Sequence, residues 1–308
     1  GDAALVGGAA GLVAAGLLVG ALAGAALGGG GGGGGRSGAC APPGGRLALP
    51  APPLPELRHL VLVAGHGAAR GTDFSHLEKE EMWALEPFQR VEGQALTFAE
   101  HAREGVRAAA GDSRALLLFS GAETRKDAPA ESEGHTYWKL SEAHGWFESD
   151  GVPGGTAVAN RAMTEEGARD SLENVLFSMC RFHELTGRYP EKITVVGYTL
   201  KERRFTELHV ARAARYPLGR FTYIGTKVLE SVSHSAADGE AATVRVWERD
   251  IYGCGAELSG KRLRRDPFAT GGHYAGSCPG LRALLEHCGP GPFKGALPWD
   301  DWGPPAVD

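Results

Sequence analysis

Three short apolar runs each stop at a small residue and then turn abruptly polar. They are Leu60-Val61-Leu62-Val63-Ala64 before Gly65-His66-Gly67, Leu116-Leu117-Leu118-Phe119 before Ser120-Gly121, and Ile193-Thr194-Val195-Val196 before Gly197. Near-continuous apolar runs of this length belong to strands buried on both faces, which is the habit of parallel sheets. Parallel strands need helical crossovers, and such sheets bind ligands in the crevice beyond the carboxyl ends of their strands. The pattern therefore constrains the fold and the place of a site together.

Helical periodicity fills the intervals. Val91, Ala95, Phe98, Ala99, Ala102 and Val106 share one face of a helix predicted over 91–110. The acidic start of 131–144 suits a helix N-terminus. A further helix is predicted over 165–186, with Ala168, Leu172, Val175, Leu176, Met179 and Phe182 on its apolar face and Thr164 as N-cap. Gly187 would end it and Pro190 would prevent its continuation. A helix over 202–215 and a fourth strand at Phe221-Thr222-Tyr223-Ile224 complete an alternation that predicts an α/β fold with a mainly parallel, doubly wound sheet. Gly145–Arg161 reads as a loop. The tail reads as a strand at 243–247 and a short helix at 281–287.

The chain divides into four segments: an apolar segment 1–28, a Gly/Pro-rich linker 29–57, an α/β domain 58–230, and an extension 231–308 packed on it. Residues 3–28 contain only Ala, Gly, Leu and Val, with Gly16, Gly20, Gly24 and Gly28 at the spacing that lets membrane helices approach closely. Membrane anchor (a transmembrane helix), cleaved targeting segment and disordered leader all fit this composition. As an anchor, with Asp2 before it and Arg36, Arg46 and Arg58 after it, it would leave the globular part cytoplasmic; otherwise the chain would be cytoplasmic or organellar.

The net charge of −5 gives no general attraction to nucleic acid. The run Lys261-Arg262-Leu263-Arg264-Arg265 reads first as a solvated face and second as a phosphate-binding surface. Five cysteines without a C-x-x-C pair favour reduced thiols over a disulfide framework. Within the tail, plain buried thiols or a single disulfide are expected. Cys254, Cys278 and Cys288 with His273 or His287 could meet around a zinc ion, but their irregular spacing makes that the lesser reading.

Several chemistries drop out. There is no P-loop, no G-x-S-x-G elbow and no H-E-x-x-H; Gly65-His66-Gly67-Ala68-Ala69-Arg70 lacks the third glycine of a dinucleotide fingerprint. A constellation remains at strand ends and helix starts that suits a small phosphate- or nucleotide-like anion. Gly65, His66 and Gly67 end the first strand. Ser120 and Gly121 end the second and would cradle the anion through backbone N–H groups, followed by Thr124 and Arg125. Lys201, Arg203 and Arg204 follow the third, and one of the two adjacent arginines should point outward. Arg169 and Asn174 belong to the helix after 165, with Asn174 orienting the ligand. Glu133 and Glu166, each near a helix start, are the candidate bases or metal ligands. A hydrolase or transferase would use them so. A membrane-tethered binding module would not, and a deep pocket joining Glu133, Glu166 and Arg203 would oppose it. No cofactor, resident metal or oligomeric state is indicated.

Residues 59–226 resemble the YdcF-like family, a domain of unknown function that includes the bacterial envelope proteins SanA and ElyC. The resemblance rests on Val63-Ala64-Gly65-His66-Gly67, on Phe119-Ser120-Gly121-Ala122-Glu123-Thr124 with Ser132-Glu133-Gly134, on Thr164-Glu165-Glu166 with Asp170-Ser171-Leu172-Glu173-Asn174, and on Val195-Val196-Gly197-Tyr198 with Lys201 and Arg203-Arg204-Phe205. Ala122 replaces the second glycine of the family's S-G-G block. Gly197-Tyr198 replaces its T-S pair, and no histidine stands near Lys201. The long tail resembles the eukaryotic branch. The resemblance implies a Rossmann-like three-layer fold, frequent membrane anchoring and, in one relative, S-adenosylmethionine binding; it implies no established reaction.

Overall fold

The computed structural model describes residues 52–303 except 72, 75, 77, 78, 129, 130 and 273. The apolar segment 3–28, most of the linker, Cys40 and His273 lie outside the described residues. Among those described, no helix is long and apolar enough to cross a membrane.

Five parallel strands form the central sheet: β1 (His59–Ala64), β2 (Ala115–Ser120), β3 (Ala162–Glu165), β4 (Lys192–Tyr198) and β5 (Phe221–Thr226), in the order β3-β2-β1-β4-β5. Every residue of β1 and β2 is buried. Successive side chains of β1 divide between two cores. Val61 and Val63 pack with α1 (Gln94–Ala110) and α2 (Glu133–Ala143), and Leu60 and Leu62 with α3 (Ser171–Thr186), α4 (Arg204–Ala213) and α5 (Ser233–Arg249). The fold is thus a three-layer Rossmann-like α/β sandwich. A side ribbon pairs Ala68–Ala69 antiparallel with Trp83–Ala84.

Four expectations change. A fifth strand, β3, occupies part of the segment assigned to the helix start, so α3 begins later. Asp170, not Thr164, caps it, accepting from the Leu172 and Glu173 amides at 3.0 Å each. The loop at Gly145–Arg161 contains a short helical turn at Gly155–Val158. The strand expected at 243–247 lies inside α5, where Glu240, Val244 and Trp247 fall on one buried face at helical spacing. Finally, the four cysteines among the described residues are not free thiols: Cys180 pairs with Cys278 and Cys254 with Cys288. Of these, only the second is the tail disulfide that was expected. The first ties α3 to the tail, and the thiolates of a zinc site are used up.

One close approach positions the site. Gly134, in the first turn of α2, lies so near the ends of β2 and β3 that a Cβ there would stand 2.6 Å from the Phe119 carbonyl oxygen and 2.9 Å from that of Glu165. Both neighbours are backbone and cannot swing aside. Gly134→Ala would gain about 1 kcal/mol in helix propensity, yet overpacking against rigid strands costs about 1–3 kcal/mol. The variant should therefore melt several degrees lower than wild type in calorimetry; an unchanged or raised melting temperature would refute the close packing.

Candidate functional site

The strand order reverses its direction of growth between β1 and β4, and there the crevice opens. A cavity of about 510 Å³ lies at this point. Its floor is built from the carboxyl ends of β1 (Gly65, His66) and β4 (Tyr198, Lys201), with Asn174 from α3 and Glu133 from α2. Arg204 and Phe205 of α4, Glu240 of α5, and Lys261 and Arg265 at the end of α6 (Ala256–Arg264) and just beyond it complete its lining.

Three features hold these groups. First, α4 is wound with wide i→i+5 turns, a rare form that recurs at functional sites. Its winding keeps Arg204, Phe205, Leu208 and His209 all facing inward. Second, the β2–β3 register sets Ser120 opposite Glu165. Ser120 Oγ donates to Glu165 Oε2 at 2.5 Å and accepts from Asn174 Nδ2 at 2.8 Å, so a buried relay fixes the Asn174 amide at the cavity. Third, Thr124 Oγ1 donates to Glu133 Oε1 at 2.6 Å, fixing that carboxylate over Gly65 and Gly121.

The cavity carries more positive than negative charge. Lys201, Arg204, Lys261, Arg265 and Arg125 line it against Glu86, Glu133 and Glu240. Arg125 is neutralised by Glu86, and its Nη2 also donates to Gln89 at 3.0 Å. Arg204 pairs with Glu240 at 2.8 Å. Lys201 and Lys261 face the surplus. Burial, then the neighbouring Arg204, lowers the Lys201 ammonium to about 7. Burial, then Arg265 and Arg204, lowers Lys261 to about 8. His66 Nδ1–H donates to the Ala64 carbonyl at 2.8 Å, which leaves Nε2 to accept from Lys201 Nζ at 2.5 Å. Burial, then Lys201, holds His66 well below its usual range, so the imidazole is neutral.

The structure brings together Gly65, His66, Thr124, Arg125, Glu133, Asn174, Lys201 and Arg204. It separates the rest. Ser120 is fully buried beneath the cavity, and the Gly121 amide, at φ 155°, is spent on the Glu165 carbonyl at 2.9 Å, so neither cradles an anion. Gly67 packs against Phe98 and Trp83. Arg169 binds Glu173 and Asp266. Arg203 points outward to Glu207 and Glu248, while its neighbour Arg204 points in. Glu166 lines a separate open depression, accepting from Ser132 and Thr164, so the two candidate bases do not share a site.

Sequence reasoning passed over Glu240 and Glu165 as site residues, and took Lys261 and Arg265 as a phosphate-binding surface only as its second reading. The basic run is not a solvated face. Lys261 and Arg265, one helical turn apart, line the cavity, while Arg262 makes a buried pair with Asp170 at 2.6 Å. Their i, i+4 spacing was the available signal. Glu165, buried against Ser120, Gly167 and Tyr274, is pushed up to about 7, chiefly by burial. Nothing local marked it.

No protein-family model and no solved structure matches the chain. It is similar to an uncharacterised protein of Saccharomyces cerevisiae, YOR238W, at 26% identity over 234 residues, covering 63% of this chain and 77% of the yeast protein.

Proposed function

We propose that this is a YdcF-like protein whose cavity binds a small phosphate-bearing anion, with Glu133 as the base of a hydrolase or transferase. The observation that carries the reading is the excess of positive charge that Lys201, Lys261 and Arg265 bring to a sheltered crevice at the strand ends. Buried cations that repel one another are stabilised by an anion between them. The site needs no helix N-terminus for this purpose; side chains supply the charge. The separation of Glu166 and Arg203 from the cavity leaves Glu133 as the carboxylate with access to a bound ligand and no cation paired to it.

A thermal-shift series with sulfate, phosphate, sugar phosphates, nucleotides and S-adenosylmethionine tests this. A ligand at about a hundred times its dissociation constant should add about 2.7 kcal/mol of stability. The sign of the pH dependence is set by the two lysines. Each is cationic below its lowered pKa, so sulfate, whose own charge is constant, should bind best below pH 7 and progressively more weakly as pH rises through about 7 and about 8. Lys201→Met should flatten the first part of that profile. Sulfate affinity that is weak and independent of pH, or unaltered in Lys201→Met with Arg265→Ala, would refute the reading.

A further inference from the structure

We propose that Lys201 is a covalent site: its amine adds to the carbonyl of a phosphorylated aldehyde or ketone held in the cavity, forming an imine. The inference rests on the anion-binding reading and deepens it by naming the substrate class.

The geometry comes first. Lys201 stands at the junction of β4 and α4, on the cavity wall, with the Tyr198 ring 5.4 Å from its nitrogen. Its nitrogen is 2.5 Å from a histidine nitrogen whose lone pair faces it. Lys261 and Arg265 line the same cavity and supply charge for a phosphate, so a ligand anchored by them lies in the space that Lys201 also lines. No carboxylate is hydrogen-bonded to Lys201 among the described residues; Glu240 is committed to Arg204. A lysine beside another cation and away from water is the arrangement that makes an amine nucleophilic at neutral pH. A lysine whose task was only to hold an anion would gain nothing from a partner that accepts its proton.

Charged and titratable groups face Lys201 from every side: His66 after β1, His101 of α1 behind it, Glu133 of α2, Arg204 of α4, Glu240 of α5, and Arg265 after α6. His101, fully buried and lowered to about 3 by burial, then by Lys201, adds no charge. The steps balance. The neutral amine's lone pair forms the C–N bond while the carbonyl π pair moves to oxygen. The nitrogen passes one proton to His66 Nε2, and the oxygen takes one from water. The carbinolamine then loses its hydroxyl as water, receiving the proton back from His66 as the nitrogen lone pair closes the C=N bond; the nitrogen's second proton leaves to solvent through Glu133. One amine and one carbonyl give one imine and one water, with no oxidant or reductant.

Pyridoxal phosphate, a phosphorylated aldehyde, is a direct probe on the wild-type chain. The protein is incubated with it, reduced with borohydride to fix the imine, digested and mapped by mass spectrometry. The expected result is one dominant adduct on Lys201, suppressed by sulfate, formed faster above pH 7 than below, and far weaker with unphosphorylated pyridoxal. Lys201→Arg should remove it and retain sulfate-induced stabilisation. Label spread over other lysines, on Lys261 instead, or insensitive to sulfate overturns the inference. If sulfate still stabilises the protein, the anion-binding reading survives that result; if it does not, both fall.

Discussion

Glu240→Ala is expected to lower stability by about 3–5 kcal/mol, because it strands a buried guanidinium. Arg204 and Glu240 have side chains only 8% and 9% exposed and meet at 2.8 Å. Burial pushes Glu240 up despite Arg204, and lowers Arg204 despite Glu240. Desolvation thus outweighs pairing for each partner, the state in which an ion pair adds little by itself yet is costly to break. The same variant should bind sulfate more tightly than wild type, since the freed Arg204 faces the cavity. Added sulfate would therefore recover part of the lost stability. Arg203→Ala, at an exposed neighbour, should leave both the melting temperature and sulfate binding unchanged. Chemical denaturation of the two variants, with and without sulfate, reads all of this. A near-neutral Glu240→Ala, or one that weakens sulfate binding, would contradict the assigned geometry.

That pair also shows where sequence reasoning stops. β1 and β2, and β4 nearly so, were legible because a strand buried on both faces must be apolar along its length, and Leu116–Phe119 allows little else; β5, a half-exposed edge strand, was legible from the β-formers Phe221-Thr222-Tyr223-Ile224. β3 was not, because it is a four-residue edge strand with Met163 and Thr164 half-buried. Its signal is weaker than that of the charged residues after it, and Thr164 passed for a cap. In α5, Val244 and Val246 mimic the alternation of a strand; Trp247 packing against His209, with ring centroids 4.6 Å apart, decides for the helix. Half of the site was legible for a related reason. His66 and Lys201 follow apolar runs, at the end of a parallel strand, where chemistry collects, and Glu133 opens a helix announced by its acidic start. Glu240, Lys261 and Arg265 come from a tail with no such runs. They reach the cavity only through tertiary packing, and no local pattern ties them to the strand ends. Gly121 failed in the opposite way. Its backbone looked free to bind an anion, but the β3 strand that the sequence hid takes its amide.

Breaking the link between Cys180 and Cys278 is the other large expected effect. The two lie 98 residues apart in sequence, and closing a loop of that length restricts the unfolded chain by an amount worth about 4–5 kcal/mol; Cys254–Cys288, 34 apart, is worth about 3–4 kcal/mol. Exposure separates them chemically. Cys180 and Cys278 are fully buried, whereas Cys254 and Cys288 are exposed. Attack by an external thiolate needs access to a sulfur. Under native conditions dithiothreitol should therefore open Cys254–Cys288 first, and Cys180–Cys278 only once denaturant exposes it. Alkylation followed by peptide mapping would resolve the two stages. Cys278→Ser should lose more stability than Cys254→Ser, and the whole tail carrying Lys261 and Arg265 should loosen with it, weakening sulfate binding. Protein extracted from its native source into an alkylating agent, without reductant, should show Cys180, Cys254, Cys278 and Cys288 unmodified. Complete alkylation of all four would refute the pairing.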